Sequence, residues 1–399
     1  MTVRARVRAL AAELADELIA LRRDLHAHPE LGFMEHRTTA VVADRLRRAG
    51  LEVRLLADTG LLCDIGTPGP SGRIGLRADI DALPIPERTG LPFSSVSPGV
   101  SHACGHDLHT AIAVGAALIL GRLHEEGHLP VGARVLFQPA EEVQPGGAEH
   151  VMGQGVLDGV SQIYAVHCDP KVDVGRVGSK TGPITSSSDA IRVEVRAGGG
   201  HTSRPHLTGD VVFALGQVIT QTGAVLDRRL DARHGVNLTW GMVNAGFAPN
   251  AIPSEGFVHG TLRCLDVGAW DLAGQVAVEA IGHILAPLGV EVEIQHVRGL
   301  PPVVNTPWEV AVFESAARAV LGDDGVQPTE QSQGGEDFGW FLTRVPGAML
   351  RLGTRTPGGE TWDLHRGDVQ FDEAAVAVGA QIMAMAVLTA PAMALHPAS

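Results

Sequence analysis

Apolar and polar positions alternate along this chain with two different spacings. The opening stretch, MTVRARVRALAAELADELIALRRDLH, sets apolar residues at helical intervals with charges between them, which predicts an amphipathic helix. Helices and strands then take turns. VVADRLRRAGLEVRLL reads as a helix, a turn at Gly50 and a strand. GRIGLRADIDAL is a strand ending in acidic residues, 107–126 a buried helix, and ARVLFQPAEE a strand running into a carboxylate pair. SQIYAVHCD is another strand that ends in metal-ligand types. Such alternation predicts a layered α/β domain with a central mixed sheet, its polar residues gathered just after the strands, where α/β folds build their sites.

The spacing changes near Thr185. SDAIRVEVRAGG alternates like a half-exposed strand and TGDVVFALGQVITQTGAVLDRRL reads as a helix. GVNLTWGMVNAG and EGFVHGTLRCLD read as strands, AWDLAGQVAVEAIGHILAPLG as a helix and VEVEIQHV as a last strand. The order β-α-β-β-α-β is that of a ferredoxin-like α+β unit. The α/β pattern resumes with a helix at 308–321, a strand at AMLRLG and a closing helix at 373–390. The predicted organisation is a catalytic domain in two parts, 1–184 and 299–399, interrupted by an inserted domain at 185–298.

Composition narrows the class. The chain has 399 residues, 45% of them hydrophobic, and a net charge of -14. That is enough for a large core, and the lack of a basic run argues against nucleic acid as a partner. The N-terminal helix has no continuous apolar segment of the signal-peptide kind, and the apolar run near 111–120 is too short to span a bilayer. Four cysteines lie far apart without a CxxC pair. The expectation is a cytoplasmic protein in a reducing compartment, with no membrane partner.

Two histidine motifs compete for the chemistry. HEEGH at 124–128 fits H-E-x-x-H, but Gly127 and Pro130 end the helix that a zinc-protease motif needs to continue. HACGHDLHT at 102–110 sets Cys104 and His106 in a short glycine-containing loop ahead of a helix. A thiolate and an imidazole at alternate positions can reach one ion. Glu141 and Glu142 follow an apolar strand, His167 ends another, and His365 comes late in the chain. Taken together, Cys104, His106, Glu142, His167 and His365 exceed the three ligands a catalytic zinc usually takes. Two divalent ions sharing a bridging ligand account for five, with Glu141 as general base. The thiolate favours zinc; manganese, cobalt or nickel are alternatives.

The segments LRRDLHAHPELGFMEHRT, LRADIDALP, HACGHDLHT, QPAEE, GGGHTSRPH, PNAIPSEGFVHGTLR and GGEDF stand in one order over nearly the whole chain. In this the sequence resembles the metal-dependent aminoacylase/carboxypeptidase family, in the branch of N-acyl-amino-acid amidohydrolases, hippurate hydrolases and auxin-conjugate hydrolases. The resemblance implies the same five ligands and the same base. It implies an inserted lid domain that also forms a homodimer, with His201 reaching the substrate carbonyl oxygen and Asn250 and Arg263 holding the substrate carboxylate. Asp79 and Asp81 stand where related aminopeptidases carry a histidine ligand and a metal-orienting aspartate, and Asp81 is read as an orienter. Thr202, Ser203, Gly367 and Val369 depart from the commoner residues near the expected substrate entrance, which touches acyl-group preference more than chemistry. The expected activity is hydrolysis of an N-acyl-amino acid or short peptide. A carboxypeptidase or dipeptidase on the same scaffold, and a catalytically silent metal-bound binding protein, are the alternatives.

Overall fold

The computed structural model describes residues 1–144 and 146–395. In chain order, helices α1 (Val3–Ala27) and α2 (His36–Arg48) precede strands β1 (Glu52–Leu55), β2 (Leu61–Ile65) and β3 (Arg73–Asp79). Helix α3 (His106–Glu125), β4 (Ala133–Gln138), α4 (Gly147–Met152), β5 (Val160–Asp173) and β6 (Val177–Ser179) follow. The chain then runs through β7 (Ser188–Arg196), α5 (Val211–Arg229), β8 (Asn237–Ala245), β9 (Glu255–Arg263), α6 (Val267–Leu285) and β10 (Glu291–Leu300). It closes with α7 (Pro307–Leu321), β11 (Val326–Pro328), α8 (Phe338–Leu342), β12 (Gly347–Arg355) and α9 (Ala374–Leu395).

Two compact units result, the first from Met1–Ile184, Val304–Glu330 and Asp337–Ser399, the second from Thr185–Val303 and Gln331–Glu336. The first is built on a mixed sheet in the order β1-β2-β4-β3-β5-β12-β6-β11. Its centre, β4-β3-β5-β12, is parallel. Of these, β3, β4 and β12 are buried along almost their whole length, which is why they read as near-continuous apolar runs. Helix α3 is buried on every side until its last turn. It packs against α1 and α9, and Gly115 lets them close in, since a Cβ there would stand 2.7 Å from Leu18 and 2.8 Å from Ala380. Truncating Leu18, 1% exposed, would cost about 2–5 kcal/mol through lost transfer energy and the cavity left behind. The helix of greatest apolar length is α9 rather than the 111–120 segment. By length and composition it could cross a membrane, but about half of it is buried inside this unit, against α1, α3 and α7.

The second unit is a four-stranded antiparallel sheet in the order β8-β9-β7-β10 with α5 and α6 packed against it. On β7, Ile191, Val193 and Val195 are buried while Arg192, Glu194 and Arg196 point the other way, the period-two pattern of a sheet covered on one face. Buried Asp189 gathers the ends of this unit by accepting from Trp270 Nε1 at 2.8 Å and Gly299 N at 2.9 Å. Residues 299–303 and 331–336, which the sequence reading gave to the catalytic domain, pack here. Val303 N donates to Thr185 Oγ1 at 2.9 Å, and Arg263 Nη1 to the Gln333 carbonyl at 2.8 Å. Apolar periodicity carries no trace of such polar ties.

Candidate metal centre

Cys104 sits in the turn before α3, and His106 is the first residue of that helix. Gly105 between them takes φ +86°, and a Cβ there would meet Cys168 Sγ at 3.0 Å. A glycine is therefore needed to turn the thiol and the imidazole toward the same space. His106 Nδ1 faces two acceptors, the Asp81 carbonyl at 3.0 Å and Asp81 Oδ1 at 3.2 Å. Nδ1 is thus the atom that donates to Asp81, which leaves Nε2 pointing inward. His167 is arranged alike: Nδ1 donates to the Cys168 carbonyl at 2.8 Å, and Nε2 lies 3.6 Å from Cys104 Sγ.

The carboxylates come from the end of β4. Glu142 N donates to Asp81 Oδ2 at 2.9 Å, so Asp81 orients His106 and Glu142 together. His365, at φ +62°, donates its backbone N–H to the Ala103 carbonyl at 2.9 Å and brings Nε2 to 3.3 Å from Glu142 Oε1. Glu141 Oε2 is 4.0 Å from His106 Nε2, and its Oε1 accepts from Asp337 N at 3.4 Å.

Among the groups of donors whose ligand atoms lie within 4.8 Å of one another are the triads Cys104–His106–His167 and Cys104–Glu142–His365, and His106, Glu141 and Glu142 form another. Cys104 is common to the first two. Among the described residues, His106 Nε2 and Glu142 Oε1 are buried without a hydrogen-bond partner. An unpartnered buried polar atom costs about 1–3 kcal/mol, more if charged, and a divalent cation would satisfy both. The electrostatics agree. Burial disfavours a His106 imidazolium, but Asp79, Asp81 and Glu142 outweigh it and push the group up to about 10. These surroundings favour positive charge. Burial, helped by Arg351, holds His167 well below the usual imidazole range, in the neutral form a metal ligand requires.

Beneath the triads lies a buried polar network that the sequence reading did not assign. Arg77 Nη1 donates to Asp79 Oδ2 at 2.6 Å, Nη2 to Asp337 Oδ1 at 2.7 Å and Nε to Gln138 Oε1 at 2.8 Å. Cys168 N donates to His109 Nε2 at 2.8 Å, so His109 carries its proton on Nδ1 and gives it to Asp79 Oδ1 at 2.6 Å. Both His109 nitrogens are committed, which removes it as a ligand. Burial pushes Asp79 up, but Arg77, His106 and His109 hold it well below the usual carboxylate range. The signals were present as acidic letters in RADID and GGEDF, but nothing local joins positions so far apart.

Asp107 turns away from the donors. It accepts from Arg22 Nε at 2.7 Å and lies 2.8 Å from His26 Nδ1. Burial lowers His26, but Asp107 and Glu87 overcome it and raise the imidazole to about 9. Burial also lowers His102 to about 4. Of the ligand-type residues in HACGHDLHT, therefore, Cys104 and His106 face the donor cluster, and the others serve the fold around it.

His201, Asn250 and Arg263 belong to the second unit. His201 pairs with Ala251 in a short two-stranded ladder, next to Asn250, whose carbonyl accepts from Thr202 N at 3.2 Å. Ser203 N donates to His201 Nδ1 at 3.1 Å. Nε2 then bears the proton of the neutral ring. Arg263 is half-buried at the end of β9, and burial lowers its pKa. His124 and His128 are exposed; α3 ends at Glu125 and Gly127 takes φ +72°.

A family model described as Peptidase family M20/M25/M40 matches residues 75–389. The chain is 49% identical over 92% of its length to a Rhodococcus jostii protein named as a glutamate–cysteine ligase, of which it spans only 46%. It is 37% identical to a Bacillus subtilis N-acetylcysteine deacetylase, covering 92% of this chain and 95% of that one. Among solved structures, a dinuclear metal-binding peptidase from Bacillus subtilis superposes with a TM-score of 0.81 at 33% identity, over 94% of this chain and 98% of that one.

Proposed function

Since the chain belongs to peptidase family M20/M25/M40 and is a metal-binding hydrolase, we propose that it cleaves the amide bond of N-acyl-amino acids to a carboxylate and a free amino acid. The observation that carries this reading is the pair of donor triads overlapping on Cys104, with Glu141 beside them. Cys104, His106, Glu142, His167 and His365 would hold two divalent cations, zinc before manganese, cobalt or nickel. When bound, such ions polarise a carbonyl and make water acidic near neutral pH. Glu141 accepts the proton of the attacking water and returns it to the leaving nitrogen. The protonated Nε2 of His201 is suited to donate to the developing oxyanion, with Asn250 and Arg263 holding the substrate carboxylate.

The N-acylated substrate is supported by the deacetylase relative. A short peptide substrate is the second reading, supported by the solved relative named a peptidase. A homodimer through the second unit is supported by exposed Met242 and Val243 on edge strand β8 and by exposed Val212 and Phe213 on α5. Four buried cysteines, none of them joined in a disulfide among the described residues, support a reducing, cytoplasmic setting.

The test compares wild type with Glu141→Gln on N-acetyl, N-benzoyl and dipeptide substrates. Turnover is expected to fall by roughly 10²–10⁴-fold, the scale of general-base removal, with metal content unchanged. Near-normal turnover in the variant would remove Glu141 from the mechanism. Faster cleavage of dipeptides than of N-acyl substrates would replace the amidohydrolase reading by the peptidase one.

A further inference from the structure

Ala140, between β4 and the two glutamates, is fully buried and has φ +59°. A non-glycine residue rarely takes this left-handed conformation, because its Cβ crowds the backbone. The turn decides where Glu141 and Glu142 point, since both follow it directly. Something must hold it there.

Glu35 supplies the hold. It occupies the N-cap position of α2, yet its side chain makes no cap. Glu30 performs that task, accepting from Arg37 N at 3.0 Å and Thr38 N at 2.8 Å. Glu35, with no exposed surface, turns inward. Its Oε1 accepts from Ala140 N at 2.8 Å and its Oε2 from Thr59 Oγ1 at 2.6 Å. Burial raises its pKa despite these bonds, so the carboxyl sits where solvation alone would not put it. It is not among the grouped metal donors. On the other side of the turn, Asp81 takes the Glu142 amide. The backbone from 140 to 142 is thus pinned at both ends by buried carboxylates.

We propose that Glu35 is a positioning residue for the Glu141–Glu142 pair, holding Ala140 in the left-handed conformation that aims both carboxylates at the donor cluster. The proposal rests on the reading of Glu142 as a metal ligand and Glu141 as the base. Without the Glu35 acceptor, Ala140 gains by returning to negative φ, and the two glutamates swing away. A glycine at 140 takes positive φ without a steric penalty, so it should keep the turn in place even when Glu35 is gone.

The experiment titrates zinc, against a competing chelating dye, into metal-stripped full-length protein carrying Glu35→Gln, Glu35→Asp, Glu35→Ala, Ala140→Gly and the Glu35→Ala/Ala140→Gly pair. Glu35→Gln keeps an acceptor and should bind zinc like wild type. Glu35→Ala should weaken binding by roughly 10–100-fold, the range seen when a ligand loses its supporting hydrogen bonds. The pair should recover most of that loss, and Ala140→Gly alone should show none. Should Glu35→Ala not fold, Glu35→Asp, whose carboxylate is one methylene short of the Ala140 amide, should show an intermediate loss that Ala140→Gly again recovers. Wild-type affinity in Glu35→Ala, or a loss that Ala140→Gly does not restore, would overturn the proposal and leave Glu35 as core filling. Repeating the titration in a Glu141→Gln background separates the two ideas. If Glu141→Gln still turns over substrate, the base assignment falls while the zinc data still decide the role of Glu35.

Discussion

The two ends of α3 carry nearly the same letters and do different things. HACGHDLHT enters the helix and HEEGH leaves it. At the entering end, His106 and His109 are 1% exposed, each has a nitrogen oriented by a buried aspartate, and Cys104 lies among them. At the leaving end His124 and His128 are exposed, and the helix stops between them. Histidine spacing does not distinguish these ends. What does is whether the second nitrogen of each ring is held by a fixed acceptor, because that selects the tautomer and directs a lone pair. Burial makes such acceptors strong and makes an unpartnered donor atom costly. Water does neither at the exposed end.

Breaking the entering end should have the largest effect. His106→Ala removes a proposed ligand whose Nε2 is buried without a hydrogen-bond partner among the described residues. Metal retained on purification and turnover should both fall, turnover by more than about 10²-fold, since loss of an outer-shell partner alone reaches that scale. Elemental analysis of protein prepared without added metal, alongside activity, checks it. Full metal content would show that the donor cluster is not the site.

Cys104 sharpens the comparison by chemistry. Cys104→Ala should lose most activity, whereas Cys104→Asp should keep part of it with a preference shifted toward manganese, because a carboxylate can bridge ions and is the harder ligand. A bound thiol is a thiolate, so alkylation should be fast only after chelation. Equal behaviour of the two variants would mean that ligation at 104 is not required.

The same end should also make stability depend on pH. His26, beside Asp107 and Glu87, is raised to about 9 in the folded state, against about 6.5 unfolded. A raised pKa gives stability that is complete below the unfolded value and lost as pH climbs through the folded one. The unfolding free energy from urea titrations should therefore fall between about pH 6.5 and 9, by an amount on the order of 3 kcal/mol. His26→Gln should flatten that decline, and an identical decline in the variant would assign it elsewhere.

At the leaving end almost nothing should happen. His124→Ala and His128→Ala together should leave metal content and turnover unchanged, with stability within about 0.5 kcal/mol of wild type, as for exposed sites without special contacts. Loss of metal in either would return H-E-x-x-H to the chemistry.

The donor types were legible because few side chains bind transition metals, and the places of Glu141, Glu142 and His167 because they follow apolar strands. Asp81 was legible as an acidic residue after a strand, though its hold on both His106 and Glu142 was not. The Arg77–Asp79–Asp337 network was invisible, since its members are distant in sequence and ordinary in type. The limits of the second unit were blurred for the same reason at residues 299–303 and 331–336. Ala140 offered no sign of its left-handed backbone, because an alanine looks the same in any conformation.

By itself the sequence determined the alternation of strands and helices, since burial on one face or on all faces writes its period into the chain. It also determined which residues have metal-binding chemistry. Only the tertiary structure decided which of them face one another, which ring nitrogen carries the proton, and that α9, apolar enough for a bilayer, is half-buried against α1, α3 and α7. Those outcomes depend on contacts between segments far apart in the chain, and the low dielectric of the interior gives such contacts an energy that no local pattern encodes.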